Sequence, residues 1–356
     1  MRLAQLQTQL STGHSLLITE PSNIRYLSGF TGSAASLLLT QEQAFLITDY
    51  RYTAIAQSQC SEQPLTIICR DRAHESLAAC IQRLQPKQQL LLCEFYHLTV
   101  DLFQQLQQCM PAVSLQAAPN WLAQMRACKD ADELAATREA VLIAEQALSW
   151  LLPQVRLGMT EQQLASLLEQ QLFALGAEAL AFPTILLSGP RSALPHGKPS
   201  DRVLQHGDWL LLDFGAQVRG YRSDITRTYV LGAASASQRD FYQTVLQAQL
   251  AALAVAGPSV SGDAVNAAAQ QVLAASPYAD HAGEGIGHST GLTLHEYPLM
   301  REGCDALLQP GMVVTIEPGL YQPGFGGVRI EDDILITDSG IEILTKSPKE
   351  LIILCA

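Results

Sequence analysis

Short apolar runs alternate with helical spacings along the first 125 or so residues. Ser15–Ile18, Ala35–Leu39, Ala44–Ile47, Leu65–Ile68 and Leu90–Cys93 read as strands, and Thr99–Gln108 reads as a helix. Strands alternating with helices in this way predict a small α/β domain. The pattern changes at RACKDADE, where Asp130 can cap a helix and Glu133 stands at the reciprocal position of a capping box. The boundary placed there divides the chain into a domain of residues 1–126 and a domain of residues 127–356.

Beyond the boundary a helix is expected over about 131–152. After Gly158, Thr160 and Gln163 form a second capping signature, and Leu164, Leu167, Leu168 and Leu172 recur at helical spacing. Strands follow over Thr184–Leu187, Trp209–Phe214 and Ser223–Leu231. Helices over about 238–256 and 261–275, then strands near 312–317 and 328–336, repeat that order. Two helices followed by a hairpin, used twice, imply a pseudo-repeat of roughly 100 residues whose halves can close around a shared site.

Composition fits a folded globular chain: 48% of the 356 residues are hydrophobic and 16% are charged. The formal net charge of −12, with no basic run, opposes a phosphate backbone, so nucleic acid is excluded as a partner. The N-terminus, MRLAQLQTQLSTGHS, has no apolar signal core, and no uncharged apolar run approaches the roughly 20 residues that span a bilayer. A cytoplasmic protein without membrane contact is expected. The eight cysteines form no CxxC pair and read as reduced thiols.

The candidate chemistry lies in the two hairpins. In LLLDFGAQVRGYRSDITRT, a turn centred between Val218 and Arg219 would make Asp213 and Asp224 cross-strand neighbours. In TIEPGLYQPGFGGVRIED, Glu317 and Glu331 are each seven residues from Gly324, inside the turn-forming PGFGG. Buried like-charged carboxylates share protons or hold cations. Four of them with a histidine would suit two divalent ions such as Mn²⁺, Co²⁺ or Zn²⁺. The candidate histidines are His196, His206, His281, His288 and His295. In GHSTGLTLHEYP, His288 follows Gly287, where backbone can approach closely; His295, seven residues on, would face the opposite way in one regular strand. Spacing alone does not bring both to a metal.

The stretch GGVRIEDDILI sets Arg329, Glu331, Asp332 and Asp333 among apolar residues. Alternation would bury Val328, Ile330, Ile334 and Ile336 and turn Arg329 and Glu331 the other way, either to water or into a site.

LLLDFGA, YRSDITRT, GHSTGLTLHEYP, TIEPGLY and GVRIED resemble the successive metal-site motifs of the pita-bread metallopeptidases, which include methionine aminopeptidase, aminopeptidase P and prolidase. NIRYLSGFTGSAA and LITDYRY are similar to the creatinase-type N-terminal domain of prolidases and aminopeptidases P. The resemblance covers nearly the whole chain. It implies an α/β (α+β) protein, with a creatinase-type domain followed by a pita-bread domain of pseudo-twofold symmetry. Asp213, Asp224, His288, Glu317 and Glu331 would then hold two divalent ions, manganese foremost, with cobalt or zinc as alternatives. Glu317 would also shuttle a proton, Arg329 would orient ligands or substrate, and His295 with His196, from SGPRSALPHGKPSD, would donate to the substrate carbonyl.

The implied substrate is a peptide with proline in second position, and the implied reaction is hydrolysis of the Xaa-Pro bond, of dipeptides first and of longer peptides as the alternative. A homodimer is expected by the same resemblance. Two departures stand out. Ser289 and Thr290 stand where relatives usually carry a glycine and an aliphatic residue before a second glycine, here Gly291, which predicts a more polar and crowded pocket wall. Leu299 stands where relatives of similar length often carry an arginine for the proline carboxylate, leaving Arg301 as the candidate for that role. A rival reading, a non-catalytic binding or scaffold module, predicts broken ligand motifs, and all five positions are intact.

Overall fold

The computed structural model describes residues 2–355. The chain divides into two compact units, Met1–Met125 and Arg126–Ala356.

The first unit is built on a six-stranded mixed sheet, in the order Thr66–Cys69, Ala44–Thr48, Ser36–Thr40, His14–Ile18, Leu90–Cys93, Ser114–Ala117. The expected strands are present within a residue or two. The edge strand Ser114–Ala117 was not foreseen, because only its Leu115 and Ala117 are apolar and most of it is exposed. Leu17, Leu38, Ile47 and Leu91 form its core with Ala78, Ile81 and Leu106 from the covering helices.

In the second unit the helices are Ala131–Leu151, Glu161–Ala174, Ala236–Val255 and Gly262–Ala274. Both expected capping boxes form, Asp130 with Glu133 and Thr160 with Gln163, and Ser235 with Gln238 makes a third. The first helix pair packs on Leu210, Leu212 and Phe214 of strand Trp209–Phe214. The second pair packs on Val314, Ile316, Ile334 and Ile336. Side chains alternate across a strand, so Asp213 and Asp333 point away from those helices, toward the space between the two halves.

The two hairpins differ from expectation in different ways. Asp213 pairs with Thr226, not Asp224, because the tight turn is Arg219–Gly220, one residue later than the centre read from the sequence. Arg219 (φ 48°) and Gly220 (φ 86°) both have the positive φ that a two-residue hairpin turn of type I′ requires. Asp224 therefore lies two positions from Thr226, diagonal to Asp213 on the same face. The second hairpin keeps the expected register: Gly319 pairs with Arg329 and Ile316 with Asp332, which puts Glu317 and Glu331 at corresponding positions between the two ladders.

GGVRIEDDILI is not one strand. It breaks at Ile330–Glu331 into Gly326–Arg329 and Asp332–Thr337, and all eleven residues are buried. Neither Asp332 nor Asp333 is solvated, and both are 0% exposed. The Asp332 side chain has the fuller set of partners. Its carboxylate accepts from Arg227 Nη2, Lys349 Nζ, Gln249 Nε2 and Thr345 Oγ1, each at 2.7 Å, and this full set of partners makes the burial tolerable.

Candidate metal centre and substrate cavity

Asp213, Asp224 and Glu331 form a buried acidic ring whose carboxylate oxygens lie within 4.8 Å of one another. His288 and Glu317 adjoin it: His288 Nε2 is 3.7 Å from Asp224 Oδ2 and 3.3 Å from Glu317 Oε1. Like charges so close, in a buried site, raise the cost of ionisation. Burial first, and then the neighbouring carboxylates, push Asp224 and Glu331 well above the usual carboxylate range. Asp333, which accepts the Asp224 backbone N–H at 2.9 Å, is pushed up to about 8, mainly by burial.

Asp213 Oδ1, Asp224 Oδ1, Glu331 Oε1 and Asp333 Oδ1 are buried without a hydrogen-bond partner. Buried carboxylate oxygens without partners are costly unless a cation or proton meets them. This donor set, carboxylates beside one imidazole, fits hard-to-borderline divalent ions.

Around the ring the ligand candidates are tied to one another. Thr226 Oγ1 donates to Glu331 Oε2 at 2.6 Å and accepts from Arg329 Nε at 3.1 Å. Arg329 also donates to Asp213 and, at 2.6 Å, to the Tyr321 hydroxyl. Thr315 Oγ1 accepts from the His288 backbone N–H at 3.1 Å and donates to Glu317 Oε1 at 3.0 Å. Groups that hold ligands in this way set their orientation and basicity. Arg329 is thus 3% exposed and turned into the site.

Gly287 (φ +150°) makes room for His288, since a Cβ there would lie 2.1 Å from the Thr315 carbonyl oxygen. The chain then shifts register between His288 and Ser289 and folds back, pairing His288 with Leu299 and Ser289 with Glu296. The opposite-face geometry of a regular strand does not arise. The His288 and His295 rings meet edge to face, 4.3 Å between centroids. Burial, then the neighbouring His288, lowers the pKa of His295, so it is neutral at pH 7.

A cavity of about 530 Å³ opens over the ring, lined by Asp213, Asp224, His288, Glu317, Arg329, Tyr321, His295 and His196, with Phe182, Ile185 and Leu294 as apolar wall. Asp280, His281 and Glu284 also line it. They sit on a short 3-10 turn and the loop after it, where no periodicity marks them. Among the other histidines, His206 is not in the lining.

Two groups of residues expected at the substrate lie outside the cavity lining. Arg301 is exposed and does not line the cavity, because Met300 beside it takes the inward place, 0% exposed in the core, and sends Arg301 outward. Ser289 and Thr290 do not line the cavity either. Ser289 turns its hydroxyl away, to the Val313 carbonyl at 2.8 Å.

The family model described as Metallopeptidase family M24 matches residues 135–338, and the Creatinase/Prolidase N-terminal domain matches residues 2–128. The chain belongs to metallopeptidase family M24, a family of metal-dependent peptidases. It is 38% identical over 339 residues to the peptidase YqhT of Bacillus subtilis, 95% of each chain. Its structure resembles the Xaa-Pro dipeptidase from Bacillus anthracis, with a TM-score of 0.93, 34% identity and 99% of each chain covered. The X-Pro aminopeptidase from Thermotoga maritima is also similar, at TM-score 0.88 and 32% identity over 98% of this chain and 99% of that one.

Proposed function

We propose that this protein is a dinuclear-metal exopeptidase that hydrolyses the Xaa-Pro bond, of dipeptides first. The observation that carries the reading is the ring of buried carboxylates with unpartnered oxygens, facing a cavity of peptide size. The similarity to an Xaa-Pro dipeptidase across the whole chain supports the substrate class. Asp213, Asp224, His288, Glu317 and Glu331 would hold the two divalent ions, manganese first. Bound there, the ions would supply activation of a water and a hold on the substrate α-amine.

The chain's own groups do the rest. Glu317, at the edge of the ring, accepts a proton from the attacking water and passes it to the proline nitrogen as the bond breaks. His295 and His196 donate N–H groups to the carbonyl oxygen as it gains negative charge. A bond before proline has no amide N–H to recognise, so Phe182, Ile185 and Leu294 read the ring by apolar contact. We further propose that the active form is a cytoplasmic homodimer. Among the described residues, no helix is long and apolar enough to cross a membrane.

The position of Arg301 favours a second reading, an aminopeptidase P acting on longer peptides, because among the described residues the arginine in the cavity lining is Arg329, which is bound to Asp213. Turnover of an Xaa-Pro dipeptide and of the same peptide extended by one residue, by Mn²⁺-loaded protein with a chelator control, decides between them. A preference for the dipeptide is expected, and Arg301→Ala should leave it unchanged. Cleavage of neither substrate would end the exopeptidase reading.

His295→Ala tests the donor. Removing one oxyanion donor costs about 10²-fold in kcat or more. That loss is expected with metal content unchanged by elemental analysis; loss of metal would instead make His295 a ligand.

A further inference from the structure

Lys129, in the RACKDADE segment that opens the second unit, is 6% exposed, a rare setting for an ammonium. Its Nζ donates to the Ser289 hydroxyl at 3.0 Å and to the Ala127 carbonyl at 3.2 Å, and lies 3.9 Å from Glu296 Oε2. Ser289 directly follows His288, and Glu296 directly follows His295. Arg126 also donates to Glu296 and, at 3.2 Å, to the Thr293 hydroxyl, while Glu296 accepts the Thr293 backbone N–H at 2.9 Å. Burial would raise the Glu296 pKa, but the Lys129 and Arg126 charges hold it below the usual range, while burial pushes the Lys129 ammonium below its own.

One buried amine thus reaches the residue after each of the two imidazoles that meet at the site. The His288–Ser289 strand has only a short, bulged pairing of its own, and beyond it the segment 290–295 is held by single bonds, with the Thr290 N–H donating to the Val313 carbonyl at 3.3 Å and the Arg222 N–H to the Gly291 carbonyl at 3.0 Å. Neither of these single bonds ties the residue after His288 to the residue after His295; beyond the backbone pairing of those two residues, the contacts of Lys129 with Ser289 and Glu296 do. The Ser289 hydroxyl is what Lys129 grips on the His288 side.

We propose that Lys129 is a positioning residue of the active site: by gripping Ser289 and Glu296 together it fixes how His288 and His295 meet. This rests on the proposed roles of those histidines. Lys129 is not in the cavity lining and its hydrogen bonds go to Ser289 and Ala127, so it acts through the two histidines. A residue with no such function would affect stability alone.

Lys129→Met, which keeps length and apolar stem but removes the donors, tests this on the full-length protein. With Co²⁺ as the probe metal, the variant should lose about 10- to 100-fold in kcat on an Xaa-Pro dipeptide, the range typical for groups that orient metal ligands. KM should stay within about threefold, and the visible Co²⁺ absorption should change. In a His295→Ala background the same substitution should cost clearly less, because residues that act through one another are non-additive. Wild-type kcat and spectrum with only a lower melting temperature would overturn the proposal, as would full additivity with His295→Ala. If Lys129→Met does not fold, Ser289→Ala removes only the gripped hydroxyl and should give a smaller loss with the same spectral change; an unchanged spectrum and rate would again overturn it. Should wild-type protein cleave no Xaa-Pro peptide, the function reading fails, and the Co²⁺ spectra still decide the role of Lys129.

Discussion

Glu331→Gln is expected to lower kcat/KM on an Xaa-Pro substrate by about 10³-fold or more, the equivalent of about 4 kcal/mol of transition-state stabilisation, with the bound metal reduced. The fold should survive. The Glu331 backbone is anchored apart from its carboxylate, with its N–H on the Thr226 carbonyl at 3.1 Å and its own carbonyl accepting from Arg227. The effect on stability should change sign with metal. In chelator at neutral pH the variant should melt higher than wild type, because one of three crowded, buried carboxylates has gone. With Mn²⁺ it should melt lower, because binding to the native state stabilises in proportion to affinity. Metal analysis, steady-state kinetics and melting with and without chelator check all of this. Retained turnover by a metal-free variant would sink the dinuclear reading.

Much of this site was legible before the fold was known, for particular physical reasons. Capping residues announce helices locally, so Asp130 with Glu133 and Thr160 with Gln163 formed as expected. A turn rich in glycine around Gly324 fixed the register that aligns Glu317 with Glu331. The first hairpin slipped because a non-glycine residue, Arg219, takes positive φ, and composition does not announce that. GGVRIEDDILI showed its charge but not the break at Ile330–Glu331, nor that distant Arg227 and Lys349 neutralise Asp332.

Thr226, Thr315 and Tyr321 were missed for a related reason. Each is an ordinary strand residue until tertiary register sets its hydroxyl against Glu331, Glu317 or Arg329. Arg301 lies outside the cavity lining, and its place two positions past Leu299 says nothing about which way its side chain leaves the chain. The M24 and creatinase-type domains recognised from motifs are those matched by the family comparisons, and the mixed α/β architecture is the one observed.

The metal-free protein should lose stability as pH rises from about 5 to 8, opposite to the usual trend for paired carboxylates. An ordinary aspartate in the unfolded chain releases its proton near pH 4. Asp333 in the folded protein holds its proton to about 8, mainly through burial, and Asp224 and Glu331 are likewise raised well above their usual range. Between those limits the native state binds more protons than the unfolded state, so the free energy of unfolding falls with each step in pH. A shift as large as that of Asp333 is on the order of 5 kcal/mol for the group alone, and at about 2 °C per kcal/mol or more the melting temperature should drop about 10 °C. Divalent cations reverse the slope, because they bind the ionised carboxylates and binding releases protons, so affinity and stability rise with pH over the same window. Melting curves at pH 5, 6.5 and 8, in chelator and in Mn²⁺, should therefore diverge as pH rises. Parallel curves would mean that the ring titrates as ordinary surface carboxylates do, and that it was not built to hold cations.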